Sequence, residues 1–205
     1  MAYQTATDYF STLAKYISDT EITDHQGSAL SLDDGTQQAV SLILKVGTVG
    51  KILVIGNGGS AAIASHVQND LCKTVGVKAM VLTETSLFSA LINDHSYAEA
   101  YEKQIQMWAT SDDLLLAISS SGKSENILRA TNAAAEQQCA VITFSGFKPD
   151  NPLRQLGRLN FYLPSSHYGF VELSHAIQLH YLTDTAASQR EVLVQSQKSS
   201  SVQAI

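Results

Sequence analysis

Short apolar runs alternate with amphipathic segments from about residue 51 onward. The apolar runs predict strands over residues 51–55, 79–83, 113–118, 140–144 and 159–163, and helical patterns fall at 61–72, 86–93, 98–108, 125–137 and 170–187. Strands that alternate with helices pair in parallel through right-handed crossovers. The pattern therefore predicts an α/β fold with a doubly wound parallel sheet of about five strands, in which ligands bind beyond the carboxyl ends of the strands.

Two further helical patterns precede the first of these strands, over residues 5–18 and 31–46. In the second, Ser31 and Asp34 form a weak capping pair. We expect the two N-terminal helices to cover a sheet edge or to pack against another subunit. The residues after Ser188 are rich in Gln and Ser, so we expect one domain over residues 1–187 and a flexible polar tail over 188–205.

The length, charge and cysteine content of the chain limit the classes of protein to which it can belong. The 205 residues suit one globular domain, and 13 basic against 19 acidic residues give a net charge of −6 with no basic cluster, which disfavours direct nucleic-acid binding. Cys72 and Cys139 lie in separate apolar segments, which favours packing roles in a reducing cytoplasm. The chain starts without a leader pattern, and no apolar run approaches the roughly 20 residues of a membrane span. We expect a cytoplasmic protein.

A serine-rich turn follows the predicted strand 113–118. It reads SSSGKS from Ser119 to Ser124 and leads into a predicted helix. Its Gly-Lys-Ser is the end of a P-loop pattern, but Ala117 stands where that loop requires glycine, so a nucleoside triphosphate is disfavoured. The hydroxyls and the free amides at the helix start predict a phosphate or carboxylate site instead. Ordinary N-capping by one serine is the alternative.

A glycine-rich turn follows the strand 51–55. Residues 56–61, GNGGSA, match the dinucleotide fingerprint G-x-G-x-x-A. Glu84 follows the next strand and could serve as the acid for a ribose, although it lies beyond the usual spacing of about 20 residues. An enzyme that uses a nicotinamide cofactor therefore remains one interpretation of this turn. Alternatively, the two turns meet at one sheet edge and together enclose a sugar phosphate.

Four segments resemble the sugar isomerase (SIS) domain, and within it the phosphoheptose isomerase branch. They are GNGGSAAIASH at 56–66, ALINDHSYAEAYEKQI at 90–105, ISSSGKSENILRA at 118–130 and SSHYGFVELSHAIQLH at 165–180. The resemblance covers about residues 35–185 and implies a flavodoxin-like, doubly wound, five-stranded SIS fold. It also implies sites for both ends of a phosphosugar: Ser119, Ser120, Ser121 and Ser124 for the phosphate, and Asn57, Gly58, Gly59, Ser60, Asn93 and Asp94 for the sugar.

The resemblance further implies a metal, most plausibly zinc, and acid–base groups. The family places a His and a carboxylate four residues apart on one helix, and a Gln and a His eight apart on the last. Here these are His66 and Asp70, then Glu172 and His180, so the spacings agree while Asp70 and Glu172 differ from the family's Glu and Gln. All four are candidate metal ligands, and His180, Asp70 and Glu172 are candidate catalytic residues. Glu172 and His180 would lie about 12 Å apart along a straight helix.

The activity implied by the resemblance is aldose–ketose isomerisation of sedoheptulose 7-phosphate to D-glycero-D-manno-heptose 7-phosphate, for heptose and surface polysaccharide (lipopolysaccharide) biosynthesis. It also implies a homo-oligomer, usually a tetramer, with sites at subunit interfaces. Two alternatives stay open. One is a module that binds a phosphosugar without turnover; the other is a regulator of replication initiation, because the same branch includes adaptors that associate with the DnaA initiator.

Overall fold

The computed structural model describes residues 5–202, with side chains described for residues 5–195. The first four residues of the N-terminal stretch and residues 203–205 of the predicted tail lie outside this range. The strands are β1 (Glu21–Asp24), β2 (Ala29–Leu30), β3 (Ile52–Gly56), β4 (Ala79–Val81), β5 (Leu114–Ser119), β6 (Ala140–Ser145) and β7 (Leu159–Tyr162). The helices are α1 (Ala6–Ser18), α2 (Leu32–Lys45), α3 (Gly59–Asp70), α4 (Thr85–Asp94), α5 (Ala100–Trp108), α6 (Glu125–Glu136) and α7 (Tyr168–Val202).

The five predicted strands form the parallel part of one sheet. The strand order is β2-β1-β7-β6-β5-β3-β4, and β7 through β4 in that order pair in parallel. Every residue of β3, β5 and β7 is buried, as expected for parallel strands that are covered on both faces. The prediction of a doubly wound α/β sheet is confirmed.

Two strands at one end of the sheet were missed by the sequence prediction. β1 pairs antiparallel with β7 and with β2, so the sheet has seven strands and is mixed rather than purely parallel. Only Ile22 of β1 is fully buried. A strand as short as β1, with one buried apolar residue between polar neighbours, gives no periodic pattern of apolar residues. The sequence therefore does not predict it.

The helices form a layer on each face of the sheet. One face packs α2, α3 and α7 around a core that includes Ile43, Val67 and Leu182. The other face packs α5 and α6 around Tyr101, Ile105 and Ile127. By contrast, α4 buries only Leu91, so it is held against the domain by few contacts.

Both predicted N-terminal helices are confirmed, with caps that the sequence indicates. The Thr5 side chain accepts a hydrogen bond from the amide of Asp8, and the Ser31 hydroxyl accepts one from the amide of Asp34 while donating to its carboxylate at 2.6 Å. No residue of α1 is fully buried within this chain, although the Tyr9 ring packs on Phe170 of α7. The helix therefore keeps an open face.

The last helix is longer than predicted. It continues from Tyr168 to Val202 through the segment where the sequence composition favours a flexible tail. Two contacts explain the difference: Arg190 donates to the carbonyl of Val75 at 2.8 Å, and Gln189 exchanges hydrogen bonds with Gln37 of α2. Long polar side chains thus hold this part of α7 against the domain where apolar residues are few.

Within residues 5–202, no helix combines the length and apolarity needed to cross a membrane.

His175 lies at the centre of the interface between α7 and the sheet. Its side chain is fully enclosed, and its Nε2 lies 3.2 Å from the carbonyl oxygen of Ser145 at the end of β6. Among the described residues its Nδ1 has no hydrogen-bond partner. Burial lowers the pKa of His175 from 6.5 to about 4, and the hydrogen bond to Ser145 opposes only part of this shift.

We expect His175 to make the fold sensitive to mild acid. The unfolded chain binds this proton near pH 6.5 and the folded chain near pH 4. Its contribution is therefore complete above pH 6.5 and is lost as pH falls towards 4, by up to about 3 kcal/mol in the free energy of unfolding. Urea unfolding of the wild type and of His175→Gln at pH 7.5, 6, 5 and 4.5 measures this. The variant should lose less stability over that range; parallel curves would contradict the assignment.

Candidate active site

The serine-rich turn links β5 to α6 and presents unused polar groups. Ser124 lies at the N-cap position but makes no side-chain capping bond, so the first amides of α6 keep their capacity to bind an anion. The Ser120 hydroxyl is buried without a hydrogen-bond partner among the described residues. Gly122 has a φ of +61°, and a Cβ there would overlap the side chain of Asn151, so only glycine fits.

The glycine-rich turn links β3 to α3 at the same edge of the sheet. Gly58 precedes the helix with a φ of +55° and provides no side-chain cap, which again leaves a helix N-terminus open. The carboxylate of Glu172 lies against Gly59: a Cβ at this glycine would be 2.5 Å from both carboxylate oxygens. Glycine at position 59 therefore allows α7 to bring an acidic group to the start of α3.

The two turns and Glu172 enclose one cavity of about 270 Å³. Eight of the ten predicted substrate-binding residues line it, together with Ile118, Tyr168 and Glu172; the eight are Asn57, Gly58, Gly59, Ser60, Ser119, Ser120, Ser121 and Ser124. The other two, Asn93 and Asp94, are exposed at the end of α4 and hydrogen bond to each other at 2.9 Å. They are not among the residues that line the cavity of this chain.

Three of the predicted metal-site residues lie together at the far end of α3. Oδ2 of Asp70 is 3.4 Å from Nε2 of His66 and 3.3 Å from Nδ1 of His180. One ligand atom from each of the three falls within 4.8 Å of the others. That Asp70 oxygen is buried without a hydrogen-bond partner among the described residues. Two imidazoles and a carboxylate match the three protein ligands of an open zinc site.

Glu172 does not belong to this group of three ligands. It contacts Gly59 at the start of α3, whereas His180 contacts Asp70 at its end, so α3 and α7 run side by side in the same direction. The eight residues between Glu172 and His180 correspond to about 12 Å along the helix, as the sequence spacing predicts. A second cavity of about 240 Å³, lined by Ala62, Ile63, His66, Val67, Ala176 and His180, occupies the same seam between the two helices.

Three residues at the site were not identified from the sequence. Asn126 exchanges two hydrogen bonds with the side chain of Asn57, Tyr97 donates to Asn57, and Tyr101 donates to the carbonyl of Gly56 at 2.7 Å. The one available signal was Asn126 in the first turn of a helix that follows an anion-binding turn. Such an Asn is ordinarily read as a capping residue, so its actual partner was not predictable.

The dinucleotide interpretation is not supported by the position of Glu84. Both carboxylate oxygens of Glu84 accept backbone hydrogen bonds at the start of α4, from Leu87 at 2.8 Å and from Ser86 at 3.0 Å. The bond from Leu87, followed by that from Ser86, lowers the pKa of Glu84. The residue is an N-cap, and its carboxylate is engaged where the fingerprint would require a ribose ligand.

A larger cleft lies at the opposite edge of the sheet. It measures about 1220 Å³ and is formed by segments that precede the strands, including Lys45, Asp112 and Arg158. None of the predicted site residues lines it. The smaller cavity at the carboxyl edge is therefore the candidate active site, because both open helix starts meet there, which is where doubly wound sheets bind ligands.

The fold and this site define a doubly wound α/β protein in which two helix N-termini face one cavity, an arrangement suited to an anionic ligand. The chain belongs to the SIS domain family, whose model matches residues 21–146. It is 30% identical to the phosphoheptose isomerase of Helicobacter pylori strain P12 over 161 residues, 75% of this chain and 83% of that protein. It is 35% identical to the phosphoheptose isomerase of Shewanella sediminis over 143 residues, 65% of this chain and 72% of that protein.

A solved structure shows the same architecture. Phosphoheptose isomerase GmhA from Neisseria gonorrhoeae superposes with a TM-score of 0.74 at 28% identity, and the match covers 89% of this chain and 96% of that one. The phosphoheptose isomerase from Francisella tularensis has a TM-score of 0.75 at 24% identity, which supports the fold alone. The predicted SIS fold and the predicted family are confirmed.

The separation of Glu172 from the histidines predicts how zinc binding responds to mutation. Asp70→Asn and Glu172→Gln each replace a carboxylate by an amide of the same shape. We expect Asp70→Asn to weaken zinc binding by about tenfold or more, because its oxygen lies between two imidazoles. Glu172→Gln should change the affinity by less than about threefold. Titration calorimetry of metal-free protein measures both, and equal losses would contradict the arrangement.

Proposed function

We propose that the protein is a phosphoheptose isomerase that interconverts sedoheptulose 7-phosphate and D-glycero-D-manno-heptose 7-phosphate for surface polysaccharide synthesis. One observation carries the proposal. The cavity between the two open helix starts, which Glu172 lines, and a second cavity lined by His66 and His180 both lie along the α3–α7 seam. A phosphate-binding end and acid–base groups beyond it are what an aldose–ketose isomerase of a sugar phosphate requires. The names of the two relatives described above support the substrate class.

The phosphate is assigned to the turn between β5 and α6. Ser119, Ser120, Ser121 and Ser124 provide hydroxyls there, and the amides at the start of α6 provide further donors. The buried, unpartnered hydroxyl of Ser120 would gain a hydrogen bond when the anion binds. Binding at this turn fixes one end of the sugar, so that the carbons at the other end are presented to the seam.

The proton transfers are assigned to Glu172, His180 and Asp70. In the aldose-to-ketose direction a base removes the proton from C2 and returns it to C1, while an acid–base group moves a proton between the two hydroxyl oxygens. The base for the carbon is Asp70, which lies 3.3 Å from His180, or Glu172, which lines the cavity beside the glycine-rich turn. His180, with Asp70 against its Nδ1, is placed to move the hydroxyl proton.

His66, Asp70 and His180 would hold a divalent metal, with zinc the best match to two imidazoles and one carboxylate. When bound, the metal supplies Lewis-acid stabilisation of the oxyanion that develops on the sugar. Glu172 lies outside this group of three ligands, at the start of α3, and is assigned to proton transfer rather than to the metal. The position of Oδ2 of Asp70 supports the fit, because this buried oxygen lies 3.4 Å from His66 Nε2 and 3.3 Å from His180 Nδ1, so that all three groups could share one ion.

We also propose that the working form is a homo-oligomer, a tetramer by family resemblance, in the cytoplasm. Leu173, Ile177 and Tyr181 lie at intervals of four on α7 and are 42–51% exposed in the single chain. They flank Glu172 and His180 on the next strip of the same helix. A second copy packed on this strip would bury the apolar side chains and cover the open side of the seam.

The test of the activity is an isomerase assay on sedoheptulose 7-phosphate, followed by NMR. We expect turnover with zinc and its loss with chelator, and His180→Ala should abolish turnover while leaving phosphate binding intact, because the serine turn does not involve α7's histidine. Folded protein that binds the sugar phosphate but never converts it would favour a phosphosugar sensor or an initiator-binding regulator. A fully active His180→Ala variant would remove that residue from the mechanism.

The test of the oligomer is sedimentation velocity on Ile177→Glu. A charge on the apolar strip should dissociate the assembly, because burying an unpaired carboxylate is costly. Val49→Glu is the matched control, since Val49 is 78% exposed at the opposite edge of the domain. Equal sedimentation of both variants and the wild type would place the interface elsewhere.

A further inference from the structure

A pair of asparagines connects the two turns of the active site. Nδ2 of Asn57 donates to Oδ1 of Asn126 at 2.9 Å, and Nδ2 of Asn126 donates to Oδ1 of Asn57, also at 2.9 Å. Asn126 is in the first turn of α6 and is 2% exposed, while Asn57 is half-buried, so the pair is partly shielded from competing water. A reciprocal amide pair fixes both the distance and the orientation of the two groups.

Tyr97 adds a third segment to this connection. Its hydroxyl donates to Oδ1 of Asn57 at 2.8 Å. Tyr97 lies in the link between α4 and α5, three residues after Asp94, so the bond ties the Asn93–Asp94 segment to the glycine-rich turn. Because α4 buries only Leu91, this hydrogen bond is an important restraint on the position of that segment.

These bonds leave Asn57 little capacity to bind a ligand through its side chain. An Asn amide has two donor hydrogens and two acceptor positions. Both acceptor positions are used, by Asn126 and Tyr97, and one donor is used on Asn126. One N–H of the Asn57 side chain therefore remains available to a substrate. The family resemblance implies that Asn57 lies at the sugar, but most of its side-chain hydrogen-bonding capacity is used within the protein.

We infer that Asn126 and Tyr97 are positioning residues which, through Asn57, set the spacing between the phosphate turn, the glycine-rich turn and the α4–α5 link. This rests on the proposed function. The strands fix only the starting points of the turns, through the pairing of Gly56 with Ile118. The helix starts beyond them need their own link, because a displacement of about 1 Å between bound phosphate and reacting carbon can lower the rate by about 100-fold.

The primary test is the kinetics of Asn126→Ala, with Asn132→Ala on the exposed face of the same helix as the matched control. We expect Asn126→Ala to lower kcat by about tenfold or more, while the inhibition constant of inorganic phosphate changes by less than about threefold. Asn132→Ala should change neither value, and Ser124→Ala should instead raise KM and the phosphate inhibition constant. An unchanged kcat in folded Asn126→Ala would overturn the inference, as would parallel losses of kcat and phosphate affinity.

Two further measurements separate positioning from folding. Tyr97→Phe removes one hydroxyl from a half-exposed ring and should lower kcat by about threefold or more with the melting temperature nearly unchanged; no kinetic change would exclude Tyr97. This variant also stands in if Asn126→Ala does not fold. In the double variant Asn57→Ala/Asn126→Ala the effects should be strongly non-additive, because each removes the same bonds. Additive effects would show that the two residues act independently.

Failure of the proposed function gives a different result from failure of the inference. If the wild type shows no turnover, the proposed function fails, and the inference is tested by binding alone. Asn126→Ala should then weaken binding of sedoheptulose 7-phosphate by about fivefold or more relative to inorganic phosphate, because only the larger ligand spans both turns. An unchanged ratio of the two affinities would overturn the inference in that setting.

Discussion

The active site depends on the parallel pairing of β3 with β5. The pairing runs in register from Ile52 opposite Leu114 to Gly56 opposite Ile118, so both strands end at the same level. Each strand is followed by a helix whose N-terminus lacks a side-chain cap. Adjacent strands lie about 4.8 Å apart. Two open helix starts are therefore held side by side with their amides facing one cavity, and the Asn57–Asn126 pair links them beyond the ends of the strands.

The second determinant is the parallel course of α3 and α7. Glycine at position 59 lets the Glu172 carboxylate approach the start of α3, and eight residues later His180 meets Asp70 at its end. Along the seam between α3 and α7, the serine-rich turn and Glu172 therefore lie at one end, and the histidines lie at the other. His175, fully buried three residues after Glu172, holds the helix against the end of β6 through Ser145. The same helix, α7, therefore contributes to the stability of the fold through His175 and to the geometry of the site through Glu172 and His180.

Much of this arrangement could be predicted from the sequence, and the failures have specific causes. Apolar runs identify the parallel strands because each is buried on both faces, whereas β1 has only Ile22 as an apolar anchor. The i, i+4 spacing places His66 beside Asp70, but no spacing rule brings His180 to them, and that link came from family resemblance. Asn126 was missed because its partner, Asn57, is distant in sequence. The end of α7 was missed because Arg190 acts through a single contact with Val75.

The charge of the residues that line the cavity determines which groups are available to stabilise a bound phosphate. Among the described residues that line the cavity there is no Lys or Arg, and Glu172 adds a negative charge. Lys123, exposed in the turn, does not line the cavity, so in the proposed function this chain offers amides and hydroxyls to the phosphate dianion. Such dipolar groups act only where they are oriented, since each supplies a fraction of a charge. A site of this kind is consequently more dependent on the spacing of its turns than one built on a basic side chain, which is the physical reason for an amide pair between them.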